Sequence, residues 1–189
     1  MTAIGSVSAS TFSLPALTLV IGGARSGKSR IAETLVTATG RPRTYIATAQ
    51  AFDTEMRDRI TRHLTDRGPG WTTIEAPLDI ATALAGSDPA GTILLDCATL
   101  WLSNVMLAGH NVDRACQALL ETFATSPAPI VIVSNEVGMG IVPENALARH
   151  FRDAQGRLNQ NIAARAGLVV GVMAGLPFAL KGTLPEGIV

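Results

Sequence analysis

An excess of charge of either sign is missing from this sequence, in which 15 Lys and Arg balance 15 Asp and Glu. The balance excludes the broad charged face by which nucleic acid or an anionic membrane is held, so an anionic partner has to be gripped locally. Cysteine is scarce. Cys97 and Cys116 are too few for a disulfide framework, and neither stands at metal-ligand spacing from a His or another Cys, which points to a reducing cytoplasm. No apolar run is long enough for a membrane span: LVVGVMAGLPFAL, at 168–180, is broken by Gly171, Gly175 and Pro177 and reads as a buried strand running into a loop. Residues 1–16 lack the positive start and long apolar centre of a secretory signal and are expected to be a disordered leader outside the fold. Internal repeats and Pro- or Gly-rich linkers are also missing, so 17–189 is expected to form one nucleotide-binding domain.

What is present is a recurrence of short, continuous apolar runs: LTLVI (17–21), RTYIATA (43–49), TILLDC (92–97), PIVIVSN (129–135) and LVVGVMA (168–174). Runs that do not alternate suit strands covered on both faces, and helical stretches between them indicate a mostly parallel α/β sheet flanked by helices. The helices are expected at about 28–39, 53–67, 78–86, 99–108, 112–125 and 143–166. In the last, Leu147, Phe151, Ala154, Leu158 and Ile162 recur at spacings of three and four, with Pro143 placed for the first turn. Ligands of such sheets bind beyond the carboxyl ends of the strands, so the residues just after each run are the ones to inspect.

The first run is followed by GGARSGKS, residues 22–29. Gly22, Gly27, Lys28 and Ser29 complete the phosphate-loop pattern, and Gly23, Ala24, Arg25 and Ser26 lie within it. Glycines let the backbone curl so that its N–H groups face a phosphate, and the next helix presents its positive end. Lys28 then reaches the β- and γ-phosphates and Ser29 is a ligand for Mg²⁺. An acid at the end of another strand would complete the metal site, and TILLDC supplies Asp96; the other reading is a strand-end aspartate capping the next helix. SNEVGMGIVPEN, at 134–145, follows a strand with Asn135, Glu136 and a flexible loop. It reads either as an element that contacts substrate or positions water, or as an irregular turn.

Between 51 and 71, Asp53 is a good N-cap, Glu55 an acid in the first turn, and Phe52, Met56, Ile60 and Leu64 form an apolar stripe. Arg59, His63 and Arg67 form a separate polar face. An exposed histidine there is either solvated surface or a nucleophile. Neighbouring guanidinium groups favour the neutral imidazole and can cradle a phosphate, which suits attack on phosphorus to give a phosphoramidate. His110 and His150 read as structural or solvated, and Trp101 as either buried or on an exposed edge.

In the phosphate loop, YIATAQAFDTEMRDRITRH, ILLDCATLWLSN and SNEVGMGIVPENALARHFRDAQGRLNQ, the chain resembles the bifunctional adenosylcobinamide kinase / adenosylcobinamide-phosphate guanylyltransferases of cobalamin biosynthesis, from about residue 17 to 182. The resemblance implies a RecA-like P-loop NTPase domain, commonly a homotrimer. Such an enzyme phosphorylates adenosylcobinamide with ATP or GTP, then transfers GMP from GTP to adenosylcobinamide phosphate through a GMP–histidine intermediate. The modified histidine corresponds to His63; some relatives carry two adjacent histidines where this chain has Arg62 and His63. Nucleotide contacts carry over to Gly22–Ser29, to Thr48, Ala49 and Gln50, to Glu75 for the guanosine and to Asp96 for the metal end. The competing functions are a RecA-like ATPase module that drives an assembly and a kinase of another small alcohol.

Overall fold

The computed structural model describes residues 12–50, 54, 65 and 67–188. In chain order its elements are β1 (Leu17–Gly22), α1 (Lys28–Ala38), β2 (Arg43–Ala47), β3 (Trp71–Glu75), α2 (Ile80–Ala85), β4 (Thr92–Asp96), α3 (Ala98–Leu107), α4 (Val112–Ala124), β5 (Ile130–Asn135), α5 (Ala146–Arg165), β6 (Leu168–Met173) and β7 (Leu176–Lys181). The seven strands form one sheet in the order β3-β2-β4-β5-β1-β6-β7, parallel except for the β6–β7 pair. Thr54, Thr65 and Arg67 are helical, and the rest of the helix expected at 53–67 lies outside the described residues.

Alternation along the central strands sends side chains to two cores. Leu19, Ile46, Ile93, Leu95, Ile130 and Ile132 pack with Trp101, Leu102, Leu119, Leu158 and Ile162 from the helices of one face. Val20, Leu94, Val131, Val133 and Val170 meet Ile31, Leu35 and Val36 of α1 on the other. Burial on both faces is why these strands read as unbroken apolar runs.

Several expectations are corrected. Residues 12–16 do not belong to the expected leader, because Leu14 is only 7% exposed within the α1-side core and Phe12 packs against it; residues 1–11 lie outside the described residues. The run at 168–180 does not pass into a loop: Ala174 and Gly175, both with positive φ, turn it back as the antiparallel edge strand β7. Helix α5 begins at Ala146 rather than near Pro143, because the Asn145 carboxamide accepts from the N–H groups of Leu147 and Ala148 and caps it. Trp101 is buried, its indole N–H donating to the Leu78 carbonyl at 3.0 Å.

Candidate active site

Six parallel strands end on one edge of the sheet, which brings the residues after β1, β2, β3, β4 and β5 to a common rim. At its centre, residues 22–29 run from strand into helix. A side-chain carbon at Gly22 would lie 2.5 Å from the Val172 carbonyl oxygen and 2.6 Å from Ser26 Oγ, so only glycine lets β1 enter the loop here. Gly27, with φ of 92°, occupies the N-cap of α1 and offers no side-chain cap, leaving the first-turn N–H groups to an anion. The Lys28 ammonium folds over the loop and donates to the Gly23 carbonyl at 3.1 Å. The Ser26 hydroxyl is buried inside the loop with no protein hydrogen-bond partner. Gly23, Ala24 and Arg25 are exposed, and Ser29 is half-buried in the first turn of α1.

Asp96 ends β4, with β5 interposed between it and the phosphate-loop strand. The register pairs Asp96 with Val133 and Val133 with Val20, while Asn135 pairs with Gly22. A ligand bridging the loop and Asp96 therefore lies over the end of β5, where Asn135 stands. Both main-chain groups of Asn135 are clamped: its N–H donates to Thr99 Oγ1 at 2.8 Å, and its carbonyl accepts from the Asn159 side chain at 3.1 Å. Beneath it, the Ser134 hydroxyl donates to Asn159 Oδ1 at 2.6 Å, and the Gln155 amide donates to both at 2.9 Å. These polar residues were missed in the sequence, although Gln155 and Asn159 sit four apart beside Ala154 and Leu158 on the inward stripe of α5.

The segment after β2 has a structural anchor. Thr48 is fully buried; its hydroxyl donates to the Cys97 carbonyl and accepts from the Cys97 N–H, and its own carbonyl accepts from Asn104 at 2.8 Å. Its hydroxyl thus holds the β2 and β4 ends together, while Ala49 and Gln50 follow half-buried. Glu75 is exposed at the end of β3, four strand spacings from β1, about 19 Å along the rim. The structure does not bring it beside the phosphate loop.

His63 and Arg59 lie outside the described residues. Arg67 is not spread on an open polar face: its guanidinium sits 3.5 Å from the centroid of the Tyr45 ring, also faces Trp71 at 5.5 Å, and donates to Thr73 at 3.0 Å. Burial, reinforced by Asp96, pushes the Tyr45 hydroxyl far above its ordinary range and keeps it a neutral phenol. The same two causes push the Cys97 thiol up to about 12, which removes it as a nucleophile. His110 and His150 are exposed.

A glycine-bearing loop between strand and helix, a lysine folded over it and an acid at the end of a strand two places away define a RecA-like P-loop nucleotide-binding domain. Residues 18–180 match the model of the cobinamide kinase / cobinamide phosphate guanyltransferase family, and the chain belongs to that family. The bifunctional adenosylcobalamin biosynthesis protein CobP of Pseudomonas aeruginosa is 47% identical, over 87% of this chain and 96% of its own. A relative of the same description, CobU of Salmonella typhimurium, is 43% identical over 86% of this chain and 98% of its own. Among solved structures, the Pyrococcus horikoshii protein of project PH0250 shares the fold, with a TM-score of 0.55 at 9% identity over 93% of this chain and 91% of that one. Among the described residues no helix is long and apolar enough to cross a membrane.

Proposed function

We propose that this chain performs both reactions at the rim of its sheet, with His63 carrying GMP from GTP to the phosphorylated acceptor in the second. The observation that carries the reading is the placement of Gly22–Ser29 and Asp96 on either side of the β5 end. In the kinase step the loop holds the β- and γ-phosphates of ATP or GTP. The hydroxyl of adenosylcobinamide attacks the γ-phosphorus, its proton is released, and the bond to the β–γ bridging oxygen breaks. In the transfer step the unprotonated nitrogen of His63 attacks the α-phosphorus of GTP, forming P–N and breaking the bond to the departing pyrophosphate. A phosphate oxygen of adenosylcobinamide phosphate then attacks that phosphorus, breaks P–N and restores His63, giving adenosylcobinamide-GDP.

Ser29 and Asp96 supply the hydroxyl and carboxylate oxygens that suit Mg²⁺. One or two such protein oxygens together with a substrate's phosphates are the usual donor set of that ion. When bound there, Mg²⁺ neutralises developing charge on the phosphate oxygens. Lys28 draws the same charge onto its ammonium, and the first-turn N–H groups of α1 orient the phosphates. Gly23, Ala24, Arg25 and Ser26 complete the wrap around them. Ala49 and Gln50, positioned by Thr48, and Glu75 at the far end of the rim take the nucleoside, whose base then lies along the strand ends. The reading extends to a homotrimer in the cytoplasm, supported by the family resemblance and by two cysteines that are both free thiols.

The test is intact-protein and peptide mass spectrometry after incubation with GTP and Mg²⁺, with pyrophosphate removed and no corrinoid. The expected result is an acid-labile GMP increment on the peptide containing His63. Its absence removes the histidine intermediate and leaves only the kinase step to be tested.

A further inference from the structure

The segment that continues β5 holds four large apolar side chains in solvent: Met139 is 85% exposed, Ile141 97%, Val142 58% and Leu147 57%. It is nonetheless fixed at both ends. The Glu136 N–H donates to the Gly22 carbonyl at 3.0 Å, so the segment leaves the sheet hydrogen-bonded to the first residue of the phosphate loop. Its far end is held by Arg149, which donates to the carbonyls of Pro143 and Glu144, and by the Asn145 cap on α5. An ordered segment that turns a cluster of apolar groups outward marks a binding surface.

Its side of the phosphate loop decides what it binds. The phosphate loop and Asp96 flank the end of β5, so in the function proposed above the γ-phosphate lies there and the acceptor meets it there. The 136–147 segment rises from β5 and therefore flanks the acceptor's approach. The other flank of the loop is the β6–β7 turn, where the Gly175 N–H donates to the Ser26 carbonyl at 2.9 Å.

We propose that Met139, Ile141, Val142 and Leu147 are the seat of the acceptor's corrin ring; this rests on the function proposed above. A cobinamide presents its reacting hydroxyl or phosphate on a short arm of a wide macrocycle whose ring carries methyl groups. The arm reaches the phosphates while the ring stays outside the sheet edge, against an apolar surface several side chains wide.

The experiment is a Met139→Ser/Ile141→Ser double variant of the full chain. Steady-state kinetics with adenosylcobinamide are measured beside GMP–protein formation from GTP alone and the assembly mass by light scattering. The corrinoid KM is expected to rise about tenfold to a hundredfold, with the KM for GTP and GMP–protein formation unchanged. Leu180→Ser, at another exposed apolar position, on β7, leaves the corrinoid KM as it was. Val142→Ser alone gives a smaller rise and guards against an effect peculiar to the double change. An unchanged corrinoid KM in the double variant overturns the proposal, and a lowered assembly mass with that unchanged KM reassigns the segment to contacts between copies. If the unaltered protein forms neither GMP–protein nor phosphorylated corrinoid, the proposed function falls and the seat falls with it.

Discussion

The hydroxyl of Thr48 grips both main-chain groups of Cys97, donating to its carbonyl at 2.9 Å and accepting from its N–H at 2.8 Å. One buried side chain thereby closes the ends of β2 and β4 where the nucleotide segment and Asp96 begin. Thr48→Val leaves the Cys97 N–H buried and unpaired and takes one of two donors from its carbonyl, which keeps the Trp101 N–H at 3.1 Å, and is expected to cost about 1–3 kcal/mol. Thr48→Ser keeps both bonds and most of the stability. Urea denaturation of the two variants beside the unaltered protein checks the difference.

The network under Asn135 makes an asymmetric prediction. Asn159→Leu strips partners from the Asn135 carbonyl, the Ser134 hydroxyl and the Gln155 amide at once, and is expected to destabilise by about 2–4 kcal/mol and to lower kcat for the kinase step. Gln155→Met leaves Ser134 and Asn159 bonded to each other and removes Gln155 Oε1, which is buried without a partner. Its expected cost is under about 1 kcal/mol. Equal costs for the two changes would contradict the hydrogen-bond assignment.

Gly22→Ala drives a methyl group against the Val172 carbonyl, a main-chain atom that cannot swing aside. The expected result is a loss of about 1–3 kcal/mol in stability together with weakened ATP and GTP binding, read by thermal melting with and without nucleotide.

Lys28 and His63 separate the two chemistries. Lys28→Ala is expected to depress both reactions by about 10²–10³-fold, the scale of losing one transition-state charge partner. His63→Ala is expected to reduce guanylyl transfer and the GMP adduct to background while kinase activity persists. Paired assays of corrinoid phosphorylation and GMP transfer read both variants; normal transfer by His63→Ala would remove the nucleophile assignment.

Both thiols should be inert in the native protein at pH 8. Burial, with Asp96 beside one and Asp113 beside the other, pushes Cys97 up to about 12 and Cys116 up to about 11, against an ordinary value of 9.0. Native protein is therefore expected to resist iodoacetamide at pH 8, and urea-unfolded protein to take two alkyl groups. The linkage runs one way: above pH 9 unfolded thiols shed protons that the folded state retains, so stability falls as pH rises from 9 towards 12. Urea midpoints at pH 8 and pH 10 measure it.

The strands with two covered faces were legible because continuous apolarity is the direct imprint of double burial, and the phosphate loop because its chemistry tolerates few residue types. The strands missed are the edges. WTTIE at 71–75 is mostly exposed and polar, and β7 turns Leu176, Phe178 and Leu180 to solvent, so neither has the period of a buried strand. Arg67 fell on a polar stripe by helical spacing, yet Tyr45, 22 positions earlier, captures it, a pairing that local periodicity does not encode. The clamp of Thr48 on Cys97 is hidden for the same reason. His63 was nominated from the guanidinium groups spaced around it and from the resemblance, and it lies outside the described residues.

The interposition of β5 also sets the order in which the protein is made. The growing chain has presented its phosphate loop by residue 29 and Asp96 by residue 96, yet Leu17 finds its strand partner only at Ile130 and Gly22 only at Asn135. Until that late strand emerges, β1 and β4 have open edges facing each other with nothing between them. Contacts this distant in sequence make for slow closure. A nascent chain stalled before residue 130 would present these two central edges to its neighbours, a hazard that the insertion of β5 removes.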